Sequence, residues 1–319
     1  MGSVAWSEYS EQGYTCILGE NELLAVRIVP GRGGKIVSLV DKRTGREWIH
    51  RTDRAWEPLR YGMGWGEGDR GGWDEMFPTI DACPCPDEPW RGAAFPDHGE
   101  VWCLPWRWEI DGDALALDIE GVQVPYRLSK RVTLEGAEVR IEYRLDNGTP
   151  HPFSYLWAAH PLLRISPGMR ILTDPALDRV QVAYSHHGRI GQPLDFARYP
   201  FASTSEGGGV DLSTLEGAES EAAEKYYFEA PLQAGEAGLA DPATGERIVF
   251  RFDPEETPYL AIWANYGGFD DYTFAIEPAS GYMDAVETAS RMGKVKQVQG
   301  HSTNRWALSV ALEHEIPKA

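Results

Sequence analysis

Three side chains in this sequence form a set that could trade protons with a bound molecule: His98, His160 and Glu277. His160 lies in Asn147-Gly-Thr-Pro-His-Pro-Phe-Ser-Tyr-Leu-Trp-Ala-Ala-His-Pro-Leu-Leu163, where the following Pro161 biases it away from helical geometry. Its imidazole should therefore project from a strand or a strand end. Trp157 and Tyr155 nearby suit the stacking of an uncharged, hydroxyl-rich ligand. His98 stands in Phe95-Pro-Asp-His-Gly-Glu-Val-Trp102, and Glu277 in Tyr272-Thr-Phe-Ala-Ile-Glu-Pro-Ala-Ser-Gly281. An imidazole and a carboxylate are enough for general acid–base chemistry, and at these separations only a fold could bring them together. Two plainer readings stand beside this one: a buried histidine bonded to a backbone carbonyl, and an inward strand glutamate paired with an arginine.

Other chemistries fit less well. Cys83-Pro-Cys85, His98 and Cys103 are close enough to suggest zinc, but Cys-x-Cys is tighter than the usual ligand spacing and no second pair follows. No metal or other cofactor is expected. Gly31-Arg-Gly-Gly lacks the strand–loop–helix setting and the Lys-Ser/Thr ending of a phosphate loop. No Gly-x-Ser-x-Gly elbow occurs, and Ala279-Ser-Gly281 has no strand-to-helix context.

Bulk properties narrow the partners. With 30 basic and 49 acidic residues the formal charge is −19. That balance argues against nucleic acid or an anionic membrane surface and mildly against a strongly anionic substrate. Four cysteines in 319 residues make no disulfide framework. The first residues show no basic and apolar leader pattern, and no run of about eighteen apolar residues occurs. The expected compartment is the cytoplasm. Nothing in the sequence speaks to oligomeric state.

The elements that must position these residues read as strands. Leu24, Val26 and Ile28 alternate, as do Leu115, Leu117 and Ile119. Val132 and Leu134 lead through Glu135-Gly136 into Val139, Ile141, Tyr143 and Leu145, a hairpin pattern. Further strands are expected around Ile248–Phe252, Tyr259–Trp263 and Trp306–Leu312. Leu212 to Lys225 is the best helical candidate, with Asp211 as its cap. Pro167 to Gly209 reads as irregular, its Gly207-Gly-Gly209 tail as a mobile loop. Between Tyr61 and Trp108 alternation gives way to glycine, proline and tryptophan. Seven of the twelve tryptophans fall between Trp56 and Trp108, which fits either a carbohydrate cleft or a loop-covered aromatic core. Recurrent alternation with hardly a helix predicts a predominantly antiparallel all-β sandwich.

Taken in order, Gly33-Gly-Lys-Ile-Val-Ser-Leu-Val-Asp-Lys-Arg-Thr-Gly45, Gly71-Gly-Trp-Asp-Glu-Met-Phe-Pro-Thr79, the His98 and His160 segments, the Glu277 segment and Arg305-Trp-Ala-Leu-Ser-Val-Ala-Leu312 resemble the galactose mutarotase-like superfamily. That superfamily holds the aldose 1-epimerases and hexose-6-phosphate 1-epimerases. The resemblance implies one β-supersandwich domain over residues 1–319, with few short helices, acting on a small-molecule sugar. It implies Glu277 as general base, His160 as general acid, and His98 as the histidine that binds and polarises sugar oxygens. Trp73, Asp74, Glu75 and Trp157 are the expected substrate-binding residues, the two carboxylates because they accept hydrogen bonds from hydroxyls. The expected catalytic pair is ionised Glu277 with protonated His160.

The Asn-Arg pair of the simple aldose 1-epimerases is missing, and the auxiliary aspartate has no assignable position. Phosphosugar recognition would call on clustered arginines such as Arg60, Arg70 or Arg91. The alternatives to an epimerase are a carbohydrate-binding protein that has lost the chemistry, and a lyase or hydrolase on the same scaffold.

Overall fold

The computed structural model describes residues 4–314. Two antiparallel sheets dominate it. The larger has twelve strands, and its central run, in spatial order, is Lys35–Asp41, Trp73–Met76, Ala158–Pro161, Tyr272–Ala279, Tyr259–Tyr266, Ala222–Phe228 and Arg179–Ser185. The smaller has eight strands, with Glu246–Phe252, Thr303–His314, Glu138–Asn147 and Tyr126–Glu135 at its centre. The predicted hairpin is present, with Glu135 opposite Glu138 and Gly136 at φ +59° in the turn. The fold is the predominantly antiparallel all-β sandwich that the alternation predicts, in the supersandwich form that the resemblance implies.

Side chains on a strand alternate between its faces, so each central strand of the large sheet serves two environments. One face packs on the smaller sheet: Trp73 meets Phe250 at 5.9 Å between ring centroids, and Trp157 meets Trp306 at 5.4 Å. A continuous apolar core runs through this interface. Polar groups buried there must be paired. Glu75 takes Lys130 Nζ at 3.0 Å, Tyr143 Oη at 2.9 Å and Trp157 Nε1 at 2.9 Å. The other face carries Asp74, His160 and Glu277, with Asp74 directly opposite His160.

Two expectations about local structure are corrected. Leu212 to Lys225 is not a helix: a short 3-10 turn at Ala218–Ser220 precedes the buried strand Ala222–Phe228. Asp211 bonds locally, accepting from Ser213 N, Ser213 Oγ and Thr214 Oγ1, and so closes a turn instead of capping a helix. Glu221, at φ +49°, then breaks any helical path. Pairing on both edges outweighs the helical preference of alanine and glutamate. The Pro167–Gly209 region is also more ordered than expected, with the strands Arg170–Leu172, Arg179–Ser185, Phe196–Arg198 and Phe201–Ser203. Gly209 itself pairs with Ser203. Among the described residues the α-helix is Val286–Arg291, and no helix is long and apolar enough to cross a membrane.

Lys130→Met should leave the Glu75 charge without its cation inside the core and cost about 3–5 kcal/mol of stability. Adding Glu75→Gln should recover much of that loss. Equilibrium denaturation of the single and double variants measures both, and an unchanged midpoint in Lys130→Met would mean that the pair does not hold the sheets.

Candidate functional site

The site lies on the outer face of the large sheet, where the chain covers it with the segment running from Tyr61 to Trp108. His98 reaches it from that segment. Its backbone is left-handed, φ +59°, followed by Gly99 at φ +74°. A Cβ on Gly99 would fall 2.1 Å from the Phe77 carbonyl oxygen, so this close approach requires glycine. The next residue, Glu100, is buried and fixes the segment. Its carboxylate accepts from Tyr61 Oη, Tyr126 Oη, Val122 N and Gln123 N, while its own N–H donates to the Phe77 carbonyl at 2.7 Å.

The imidazoles of His98 and His160 stand 5.2 Å apart between centroids. Trp65 stacks on His98 at 5.1 Å and tilts over His160 at 5.2 Å. Trp65 is held at both ends: its backbone N–H donates to Asp97 Oδ2 at 2.9 Å and its indole N–H to Asp74 Oδ2 at 3.0 Å. His98 Nδ1 lies 2.8 Å from Asp97 Oδ1. Burial pushes the Asp97 carboxyl up, but His98 outweighs it and holds it below the usual range.

Glu277 is fully buried beside His160, its Oε1 3.8 Å from His160 Nε2 and without a hydrogen-bond partner. Its Oε2 accepts a short hydrogen bond from Lys225 Nζ. Lys225 also faces Asp284 Oδ1 at 3.7 Å, and Asp284 accepts from Tyr227 Oη at 2.7 Å. Burial lifts the Glu277 carboxyl above its ordinary value, even against Lys225. Burial would lower Lys225, but Glu277 and Asp284 more than reverse it. The two directions pull opposite ways on one ion pair. We take the pair as ionised at neutral pH, because the ammonium has two carboxylates to stay charged for and Glu277 has that ammonium in direct contact.

The expected protonated His160 is not what this geometry supports. Burial, then the neighbouring His98, Lys225 and Lys35, push its imidazole well below the ordinary histidine range. The neighbouring carboxylate that was to support it is engaged by Lys225. Its Nδ1 has no partner.

A cavity of about 420 Å³ is lined by Trp65, His98, His160, Lys225, Asp284 and, at its rim, Tyr184, Trp263 and Phe269, with Glu277 set behind His160 and Lys225. Trp263 and Phe269 stack at 5.9 Å, and Phe269 is 41% exposed, an apolar platform of the kind that packs on sugar C–H faces. A wider depression of about 1240 Å³ on the outer face of the smaller sheet holds none of these residues. Its Arg107 and Arg127 are paired with Asp118, and its Arg131 with Asp111.

Of the residues expected at the site, His98, His160, Glu277 and Asp74 are gathered here. Asp74 is buried, with Lys35 Nζ 3.3 Å away; burial pushes its carboxyl up despite Lys35 and the Trp65 indole. Trp73, Glu75 and Trp157 are corrections. They project from the opposite face into the core between the sheets, where Trp157 donates to Glu75 and Trp73 packs on Phe250. The arginines do not converge either. Arg60 is exposed, Arg91 pairs with Glu88, and Arg70 alone borders the cavity, with its guanidinium on the carbonyls of Gly66 and Phe269. Cys83, Cys85 and Cys103 are free thiols, Cys103 bonded to the Glu100 carbonyl, and no metal-ligating group of three or more is found among the described residues. The sequence reading missed Trp65, Lys225, Trp263 and Asp284. Strand parity would have indicated Trp263, which shares a strand face with Ala261, the residue opposite Glu277.

No protein-family profile matches the chain, and no curated protein matches it in sequence. Solved structures do match. The Slr1438 protein of Synechocystis sp. PCC 6803 shares 19% identity, with 98% of this chain and 96% of that one covered at a TM-score of 0.70. A candidate aldose 1-epimerase from Klebsiella pneumoniae shares 15%, with 99% and 85% covered at 0.72. A galactose mutarotase-like protein from Lactobacillus casei shares 18%, with 93% and 100% covered at 0.68. At these identities the likeness establishes the fold alone, one shared with a structure described as galactose mutarotase-like.

The two tryptophans separate core from site. Trp73→Ala should cost about 3–5 kcal/mol of stability, as large buried aromatics do when truncated. Trp65→Ala, at a half-buried position, should cost less stability and should weaken aldose binding, the stack over His98 being lost. Denaturation together with aldose titrations reads both; a folded Trp73→Ala that lost affinity while Trp65→Ala kept it would reverse the assignment.

Proposed function

We propose that this protein is an isomerase of the aldose 1-epimerase type, interconverting the anomers of a sugar by general acid–base catalysis. One observation carries the reading: His160, which lines the aromatic cavity of about 420 Å³, and Glu277, set behind it with Oε1 3.8 Å from His160 Nε2, each bury a polar atom, Nδ1 and Oε1, without a hydrogen-bond partner. Buried polar atoms left bare in this way are rare, and a substrate hydroxyl would satisfy them. Fold likeness to structures described as candidate aldose 1-epimerases agrees with it.

In this reading Glu277 takes the proton of the anomeric hydroxyl, the bond between C1 and the ring oxygen opens, and the aldehyde rotates and recloses. His160 and His98 hold sugar oxygens, with Trp65, Trp263 and Phe269 against the ring. Asp74 acts through Trp65, holding the indole over the two imidazoles. Trp73, Glu75 and Trp157 take no direct part. The reaction needs an acid and a base, and no nucleotide.

A second reading, a carbohydrate-binding protein without chemistry, is favoured by the contact that engages one oxygen of Glu277 with Lys225. Saturation-transfer NMR across neutral and phosphorylated aldoses separates the two. Anomer exchange faster than buffer supports the isomerase, and binding with exchange no faster than buffer supports the alternative.

The pH dependence follows from the base. Glu277 must be ionised to act, and burial lifts it above 4.5. The value of kcat/KM should therefore be full above the raised Glu277 pKa and fall as pH drops through it. Glu277→Gln should lose roughly 10²–10⁴ in rate. Near wild-type exchange in a folded Glu277→Gln protein would remove the base from this position.

A further inference from the structure

We propose that Lys225 is the acid of this site, the group that hands a proton to the ring oxygen; the inference rests on the epimerase reading above. The reaction requires a donor facing the cavity, within reach of a substrate that also meets Glu277. Lys225 borders the cavity and touches Glu277 Oε2 directly. An ammonium has three N–H donors. Glu277 engages one, Asp284 Oδ1 lies within ion-pair distance at 3.7 Å, and a donor remains for a ligand oxygen. Asp284 is in turn fixed by Tyr227 Oη, so the ammonium is held from two sides.

The imidazoles are less well placed for the same task, because neither is in hydrogen-bond contact with Glu277 and His98 turns Nδ1 to Asp97. Burial, with His98, Lys225 and Lys35 around it, holds the His160 imidazole well below the ordinary histidine range. A neutral imidazole that gave up its proton would become an anion inside a buried site, an unfavourable product. Lys225 is charged and becomes neutral on donating.

The step balances. Glu277 Oε1 accepts the proton of the anomeric hydroxyl as the C1–O1 bond gains double-bond character. The bond from C1 to the ring oxygen breaks, its electron pair staying on that oxygen, and a Lys225 N–H proton moves there. The products are the open-chain hydroxy-aldehyde, a protonated Glu277 and a neutral Lys225. After rotation about C1–C2 the same transfers run backwards. The pair carries no net charge before or after the step, so proton transfer leaves no uncompensated charge in the buried site.

Lys225→Arg tests this while keeping a cation beside Glu277, because guanidinium stays protonated throughout the accessible range. On the aldose that the wild type exchanges fastest, Lys225→Arg should lower kcat by roughly 10²–10⁴ with little change in KM. Lys225→Ala should regain part of its rate when methylamine is added. The wild-type rate should hold from neutrality to about pH 9, whereas a rate that depended on a histidine acid would be falling as pH rises to neutrality. Near wild-type kcat in folded Lys225→Arg, or a wild-type rate that declines as pH rises through neutrality, overturns the assignment of Lys225 and leaves the epimerase reading standing. If the wild type exchanges no aldose, both fall together.

Discussion

The short strand Trp73–Met76 carries two neighbouring carboxylates, and the rest of the architecture answers the problem of burying both. Asp74 and Glu75 are each 1% exposed and face opposite sides of one sheet. A buried carboxylate without a partner is costly, so each side must bring a cation. On the inner side Lys130 crosses from the smaller sheet to Glu75, and Tyr143 and Trp157 complete its hydrogen bonds. On the outer side Lys35 approaches from the adjacent strand and is shared between Asp74 and Asp69. The first arrangement ties two sheets together, and the second holds Asp74 where it can anchor Trp65. Scaffold and site thus meet at adjacent residues.

Much of the fold was legible because half-buried strands write their period into the sequence. The hairpin through Glu135-Gly136 and the closing strand around Trp306–Leu312 followed from alternation alone. The strand Ala222–Phe228 did not, because it is buried on both faces and its alternation disappears. Its alanine and glutamate then read as helical. Misplacing it hid Lys225.

The gathering of His98, His160, Glu277 and Asp74 was legible in their motifs, the aromatic residues around them much less so. The aromatic segments pointed to Trp73 and Trp157, but being near a site residue in sequence is not sharing its face. Trp73 is one position from Asp74, and Trp157 three from His160, both odd separations that place them on the opposite side of the sheet. Trp65 lies in a segment without periodicity, and its role depends on two hydrogen bonds from distant carboxylates. The protonation state of His160 was unreadable for a related reason. It depends on burial, then on His98, Lys225 and Lys35, which the topology brings in around it.

Glu100 has a bearing on how such a protein can change over evolutionary time. Four donors from two other parts of the chain converge on its carboxylate, two positions after His98. The stretch leading up to it is rich in glycine and tryptophan and has little regular structure of its own. With the strand Trp73–Met76, the Trp65 bonds and Glu100 as its fixed points, that stretch can accept substitutions and length changes in the residues between them without moving the histidine. Sequence change can therefore accumulate in the covering segment while His98 stays in register. A substitution at Glu100 itself would strand two tyrosine hydroxyls and two amides and release the histidine, so tolerance to mutation should fall off sharply there.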